Sequence, residues 1–139
     1  MMNNRPKQNE IKAQIQFWYK SAMDNIQTAE ALLKSKRYNF SMFMCQQTVE
    51  AVLKCIFVKL KGDRPPYLHR LPRLLVLTGI KVPSWIDKII LRVDAHYIKA
   101  RYFGDRFDHR IYNRKNASEL MGSTKKVLTW FIKKLELEQ

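Results

Sequence analysis

The sequence predicts an all-α fold: an antiparallel up-and-down helical bundle of four long helices plus one short helix. Three observations carry this expectation. Gly and Pro are scarce, at 4 and 5 copies in 139 residues, which leaves few of the tight turns that a sheet-rich fold needs. Apolar residues make up 46% of the chain and recur at steps of three and four, the spacing of one helical face. The breakers are clustered, so the segments between them are long. At this length the chain forms one domain around one core, with no internal repeat and no low-complexity segment.

Residues 1–9 are polar and read as a disordered N-terminal tail, with the bundle occupying 10–139. The first long helix is expected from Glu10 to Lys34, with Ile11, Ile15, Trp18, Ala22, Ile26, Ala29 and Leu33 on one face. The second spans Tyr38 to Lys61. It carries Met42, Cys45, Val49, Val52, Ile56 and Leu60 on one side, and Phe40, Phe43, Leu53 and Phe57 on others, as befits a helix in the middle of a bundle. Gly62 ends it and Pro65-Pro66 prevents its resumption.

A short helix over Leu71–Leu77 stops near Gly79. Ser84-Trp-Ile-Asp87 has the pattern of a capping box that opens a third long helix reaching about Tyr102. Residues 104–115 form an arginine-rich connection. Asn116-Ala-Ser-Glu119 has the pattern of another cap, and Leu120, Val127, Leu128, Phe131 and Leu135 mark the final helix.

Composition excludes several function classes. No stretch is apolar for the roughly 18 residues a membrane span needs, and Met1–Lys20 lacks a signal-peptide core, so a cytoplasmic location is expected. Cys45 and Cys55 lie in apolar helical sequence outside any CxxC or His-rich cluster. They read as buried free thiols, with no disulfide, metal or cofactor expected. Lys and Arg total 26 against 12 acidic residues, a net charge of +14. Such an excess suits a polyanion, through phosphate neutralisation and counterion release, or an acidic protein partner.

Three stretches, Tyr38–Lys54 with its Gln46-Gln47, Glu50 and Lys54, His69–Leu75, and Tyr97–Tyr102, together resemble the HEPN (higher eukaryotes and prokaryotes nucleotide-binding) domain family. In Tyr38–Lys54, the residues Gln46-Gln47, Glu50 and Lys54 sit where that family places a Gln-Gln pair, then Glu, then Lys. His69-Arg-Leu-Pro-Arg-Leu-Leu75 is similar to its His-x-Leu segment. Tyr97-Ile-Lys-Ala-Arg-Tyr102 is similar to its Tyr-x-x-Ala-Arg-Tyr-Pro signature, with Phe103 in place of the Pro. The resemblance runs from about Trp18 to the C-terminus. It implies a homodimer that engages nucleotide or RNA phosphates, and a minimal nucleotidyltransferase as antitoxin partner in a toxin–antitoxin pair.

Gln47, Glu50 and Lys54 share one helical stripe, with Glu50 and Lys54 oriented for an intrahelical ion pair. Arg101 is the expected arginine partner of this polar seam, able to chelate a carboxylate and to stack on Tyr97 or Tyr102. The alternative is that the seam lines a dimer cleft where phosphates bind. The basic residues gather in two regions. Lys59, Lys61, Arg64, Arg70, Arg73 and Lys81 surround the Pro65-Pro66 turn, and Arg101, Arg106, Arg110, Arg114 and Lys115 surround the second connection. Tyr67, Tyr102, Phe103, Phe107 and Tyr112 are interleaved with them. These rings can stack on unpaired bases or fold inward to close the bundle ends.

Many members of the family are similar to metal-independent ribonucleases that carry Arg, four to six residues, then His at the start of the last helix. The resemblance makes Arg101 and His109 the catalytic candidates: an imidazole to move the proton of a 2′-hydroxyl and a guanidinium to hold the phosphate. Here seven residues separate Arg101 from His109, and two separate Arg106 from His109. Tyr112 departs from the family's His-x-Tyr variant. His69 is expected to cap or pack at the short helix, and His96 has no metal-ligand cluster around it. Three readings follow: a binding module for nucleotide or RNA phosphates using Gln47, Glu50, Lys54, Tyr97, Arg101, Tyr102, Arg106 and Arg110; a ribonuclease; and a dimerisation scaffold.

Overall fold

The computed structural model describes residues 5–137. Among these, all regular structure is helical: α1 (Gln8–Lys34), α2 (Tyr38–Lys61), α3 (Leu71–Thr78), α4 (Ser84–Asp94), α5 (His96–Lys99) and α6 (Arg114–Leu135). Of the expected tail, residues 1–4 lie outside the described residues, and residues 8 and 9 already belong to α1.

The hairpin of α1 and α2 is the spine. Three contacts fix its antiparallel register: Ser41 Oγ donates to the Ala29 carbonyl (2.7 Å), Asn25 Nδ2 to that of Gln47 (3.2 Å), and Cys55 Sγ to that of Ile15 (3.4 Å). The chain reverses through Lys36, whose φ of 64° is left-handed, while the Arg37 amide donates back to the Leu32 carbonyl at 2.8 Å. Helix α2 is buried on nearly every side, including Val49, Val52, Leu53 and Ile56, as its all-round apolar sequence implies. It ends where Gly62 takes a left-handed φ of 62°.

Helix α6 runs parallel to α2. Its start shares a pocket with Met42, and its end receives Lys59 Nζ on the Leu135 carbonyl. Helix α4 runs the opposite way to α6, with Trp85 beside Trp130 and with Arg92 beside Glu119. The order is thus up, down, up, down, and α3 packs on α2 and α4, with its start at Asp94 and its end near Lys61. Phe131, Leu71, Leu74, Ile86 and Ile90 join α2 in a single core.

Two capping expectations are corrected. Pro83 takes the cap position of α4 in extended conformation, so Ser84 falls inside the helix and makes no cap bond. The Pro83 carbonyl instead accepts from the amides of Ile86 (3.0 Å) and Asp87 (3.4 Å). For α6 the cap is Asn113, three residues ahead of the expected Asn116; its side-chain oxygen accepts from the Asn116 amide at 2.8 Å.

The third long segment also stops earlier than expected. Regular helix ends at Asp94, one further turn follows as α5, and Gly104 and Asp105, poor helix formers, come soon after. Residues 100–111 then wind through consecutive turns, with the Arg106 amide donating to Tyr102 (2.9 Å) and the Tyr112 amide to Asp108 (2.8 Å).

Asp94 has a role that its sequence position hides. One carboxylate oxygen accepts the Leu71 amide at 2.8 Å, capping α3 from another helix, and the other takes Arg70 Nε (2.9 Å) and Nη2 (2.6 Å).

Candidate functional site

The polar seam of α2 is satisfied mostly from within. Gln46 is fully buried; its Nε2 donates to the His69 carbonyl (2.9 Å), and its Oε1 accepts from Gln47 Nε2 (2.7 Å). This amide relay ties the loop before α3 to the middle of α2. Glu50, only 7% exposed, accepts Lys54 Nζ on Oε2 at 3.1 Å, and His69 Nδ1 lies 3.3 Å from the same oxygen. Glu50 Oε1 has no hydrogen-bond partner among the described residues. Lys54 is itself buried and sits 5.1 Å above the Trp18 ring.

The expected pairing of Arg101 with this seam does not form. Lys54 is four residues along the same helix, so it reaches Glu50 without ordering a second segment, and His69 covers the outer side. Arg101 stays exposed. Its Nε donates to the Tyr97 carbonyl at 2.8 Å, and its guanidinium lies 4.6 Å from both the Phe43 and Tyr97 ring centres. Among the described residues it has no carboxylate partner.

His69 joins the two basic regions. Its ring stacks on Tyr97 (5.1 Å between centres, 14° between planes) and meets Tyr67 edge-on at 5.9 Å. Tyr67, His69, Tyr97 and Arg101 therefore form a continuous row from the Pro65-Pro66 turn to the end of α5. The reading of His69 as a packing residue at α3 missed this. A His that follows a buried helix's Gly stop is a weak signal, and only the fold sets it against Glu50.

The interleaved aromatics face outward. Tyr67 is 98% exposed, Phe103 87%, Phe107 67% and Tyr102 60%. Only Tyr112 turns inward, where its hydroxyl meets His96 Nδ1 at 2.8 Å. Burial, with a smaller contribution from Lys99, holds the His96 imidazole down to about 4, and burial pushes the Tyr112 hydroxyl up. His96 is thus a neutral core group.

The remaining arginines divide. Arg110 grips Asp108 through Nε (3.1 Å) and Nη2 (3.0 Å); this hydrogen bonding holds the Asp108 carboxyl below its ordinary range and raises the guanidinium. Its charge is spent locally. Arg106 lies over the Phe40 and Phe107 rings, at 5.6 and 4.7 Å, with no ion pair among the described residues. Arg106 and His109 line one pocket with Lys36 and Arg37. No hydrogen bond or ion pair joins Arg101 to His109 among the described residues, and the two side chains have different neighbours.

Cys45 and Cys55 are buried free thiols, each pushed up to about 11 by burial. Among the described residues no three His, Cys, Asp or Glu side chains gather as a metal site. No described helix is long and apolar enough to cross a membrane.

The HEPN domain model matches residues 15–135. Two solved structures share the fold. One is TT1696 from Thermus thermophilus, 26% identical, with a TM-score of 0.77 over 88% of this chain and 98% of that one. The other is ST0689, an archaeal HEPN homologue, 20% identical, with a TM-score of 0.70 over 89% of this chain and 98% of that one. No curated protein matches the chain.

Proposed function

Because the chain belongs to the HEPN domain family, we propose that it is a binding module for single-stranded RNA or nucleotide phosphates, centred on the row Tyr67, His69, Tyr97 and Arg101. The observation that carries this reading is Arg101: an exposed guanidinium, fixed between two rings and without a carboxylate among the described residues, beside exposed Tyr102 and Phe103. A cation held this way keeps its outer N–H donors for a phosphate, and the neighbouring rings offer faces to unpaired bases. Gln47, Glu50 and Lys54 hold His69 and the loop in register. They act through position, not by touching the ligand.

A homodimer would set two such rows against one strand. A minimal nucleotidyltransferase antitoxin fits as a partner because this chain offers cations and no acidic metal-binding cluster among its described residues. Metal-independent cleavage through Arg101 and His109 is the second reading. It requires both side chains at one phosphate, and the separate surroundings of the two favour binding without cleavage.

The test is fluorescence anisotropy with a labelled single-stranded RNA of roughly 8 nucleotides. Affinity should fall steeply with salt, by about 0.7 in log K per log salt for each phosphate neutralised. A flat salt dependence overturns the reading. Incubating the RNA with wild type and His109→Ala in chelator tests cleavage; equal background rates end that proposal.

A further inference from the structure

The turn between α1 and α2 and the segment after α5 enclose a pocket of about 240 Å³, lined by Lys36, Arg37, Asn39, Arg106, His109 and Tyr112 among others. We propose that this pocket binds a phosphomonoester, and that in the RNA-bound protein it takes the terminal phosphate of the strand.

Arg106 stands in this pocket held by rings alone. Among the described residues Arg106 Nε is buried without a hydrogen-bond partner, and the rest of its guanidinium makes no hydrogen bond. Buried donors are paired in nearly all native structures, so this arginine is set in place by its rings and not by an acceptor within the protein. The rings of Phe40 and Phe107 hold this guanidinium in place, so its outer Nη donors, not the covered Nε, are held ready for an acceptor in the pocket.

The pocket also gathers positive charge. Lys36 and Arg37 come from a distant part of the chain and face the same space, and neither they nor Arg106 holds an ion pair among the described residues. The nearby acids do not cancel them one for one. Asp108, whose carboxyl feels His109, is gripped at both oxygens by Arg110, and the remaining Asp105 charge acts on Tyr112. A doubly charged phosphomonoester is a better match for three clustered cations than the singly charged diester of a strand interior.

Size and mooring fit the same ligand. At about 30 Å³ of liquid volume per water, the pocket holds several water-sized groups, room for a phosphate but not for a base pair. Asn39 Nδ2 donates to the Ala100 carbonyl at 3.0 Å, which ties the α1–α2 turn to the segment that carries Arg101 and Arg106. A strand stacked on Tyr102 and Phe103 would reach the pocket at its end. The source of the phosphate rests on the RNA reading above; the pocket itself does not.

The experiment compares four probes by isothermal titration: one short RNA with a 5′-phosphate, the same RNA with a 3′-phosphate, the same RNA with hydroxyl ends, and adenosine monophosphate. The variants are Arg106→Gln and Lys36→Asn, the latter chosen because Asn tolerates the left-handed backbone. Thermal melts establish that each is folded, and either one alone suffices. Wild type should prefer one phosphorylated end by roughly tenfold over hydroxyl ends, and that ratio should fall to about one in the variants. Equal binding of all three RNAs overturns the pocket while leaving RNA binding intact. So does a preference that survives both substitutions. If no RNA binds but adenosine monophosphate does, and the variants lose it, the RNA reading fails and the pocket stands as a site for free phosphomonoesters.

Discussion

The seam on α2 and the connection after α5 carry the same kinds of side chain in opposite settings. Glu50, Lys54 and Gln46 are buried and turned on one another and on the His69 loop. Arg101 and Arg106 have rings for neighbours and hold no ion pair among the described residues. In the first region, desolvation makes each charge depend on its partner, so the chemistry serves the fold. In the second, cations are positioned by aromatic faces that leave their donors open, which is the condition for meeting a ligand. Arg110 shows the contrast on a small scale: it stands in the connection, yet Asp108 removes it from service.

This contrast breaks or sharpens under substitution. The largest effect should come from Glu50→Ala. It strips Lys54 and His69 of their shared oxygen and leaves a buried ammonium, so urea unfolding should show a loss of about 3 to 5 kcal/mol. A loss below about 1 kcal/mol, the scale of an exposed pair, would mean that the seam is not structural, and the division between the regions would fail.

His96 comes next. Its imidazole is held down to about 4 in the fold, while the unfolded chain takes a proton near about 6.5. Between those values the unfolded state binds more protons, so stability should fall as pH drops through this window, by at most about 1.4 kcal/mol per pH unit. His96→Leu should flatten that slope in urea melts; an unchanged slope would assign it to other groups.

Arg101→Ala should reverse the pattern of Glu50→Ala. RNA affinity should fall roughly tenfold, about 1.4 kcal/mol, while stability changes by under about 1 kcal/mol, since exposed cation–π contacts contribute little. Lost folding with unchanged affinity per folded molecule would move Arg101 into the structural class. Asn113→Ala should cost about 1 kcal/mol through the lost α6 cap and leave RNA affinity where it was, a control lying just beyond the connection. A shift in affinity would show that the start of α6 belongs to the interface.

The sequence alone determined the order of the helices and the course of most of them, though not where the third long one ends, because periodicity is local: the apolar steps of α1, α2 and α6, and the stops at Gly62 and Gly79, depend on residues within a few turns. It also marked Gln46, Gln47, Glu50, Lys54 and Arg101 as residues to explain, and the two basic regions as places where a polyanion could lie. It assigned Lys54 to Glu50 and offered Tyr97 to Arg101, but it could not assign their remaining partners. That Glu50 also takes His69, while Arg101 takes Phe43 and stays off the seam, depends on how a loop and α5 pack against α2. The cap that Asp94 places on α3 links residues 23 positions apart, and the pocket joins Lys36 to Arg106 across the chain. Such choices were left to tertiary structure because burial sets the energy of a charge, and burial is known only once distant segments have met.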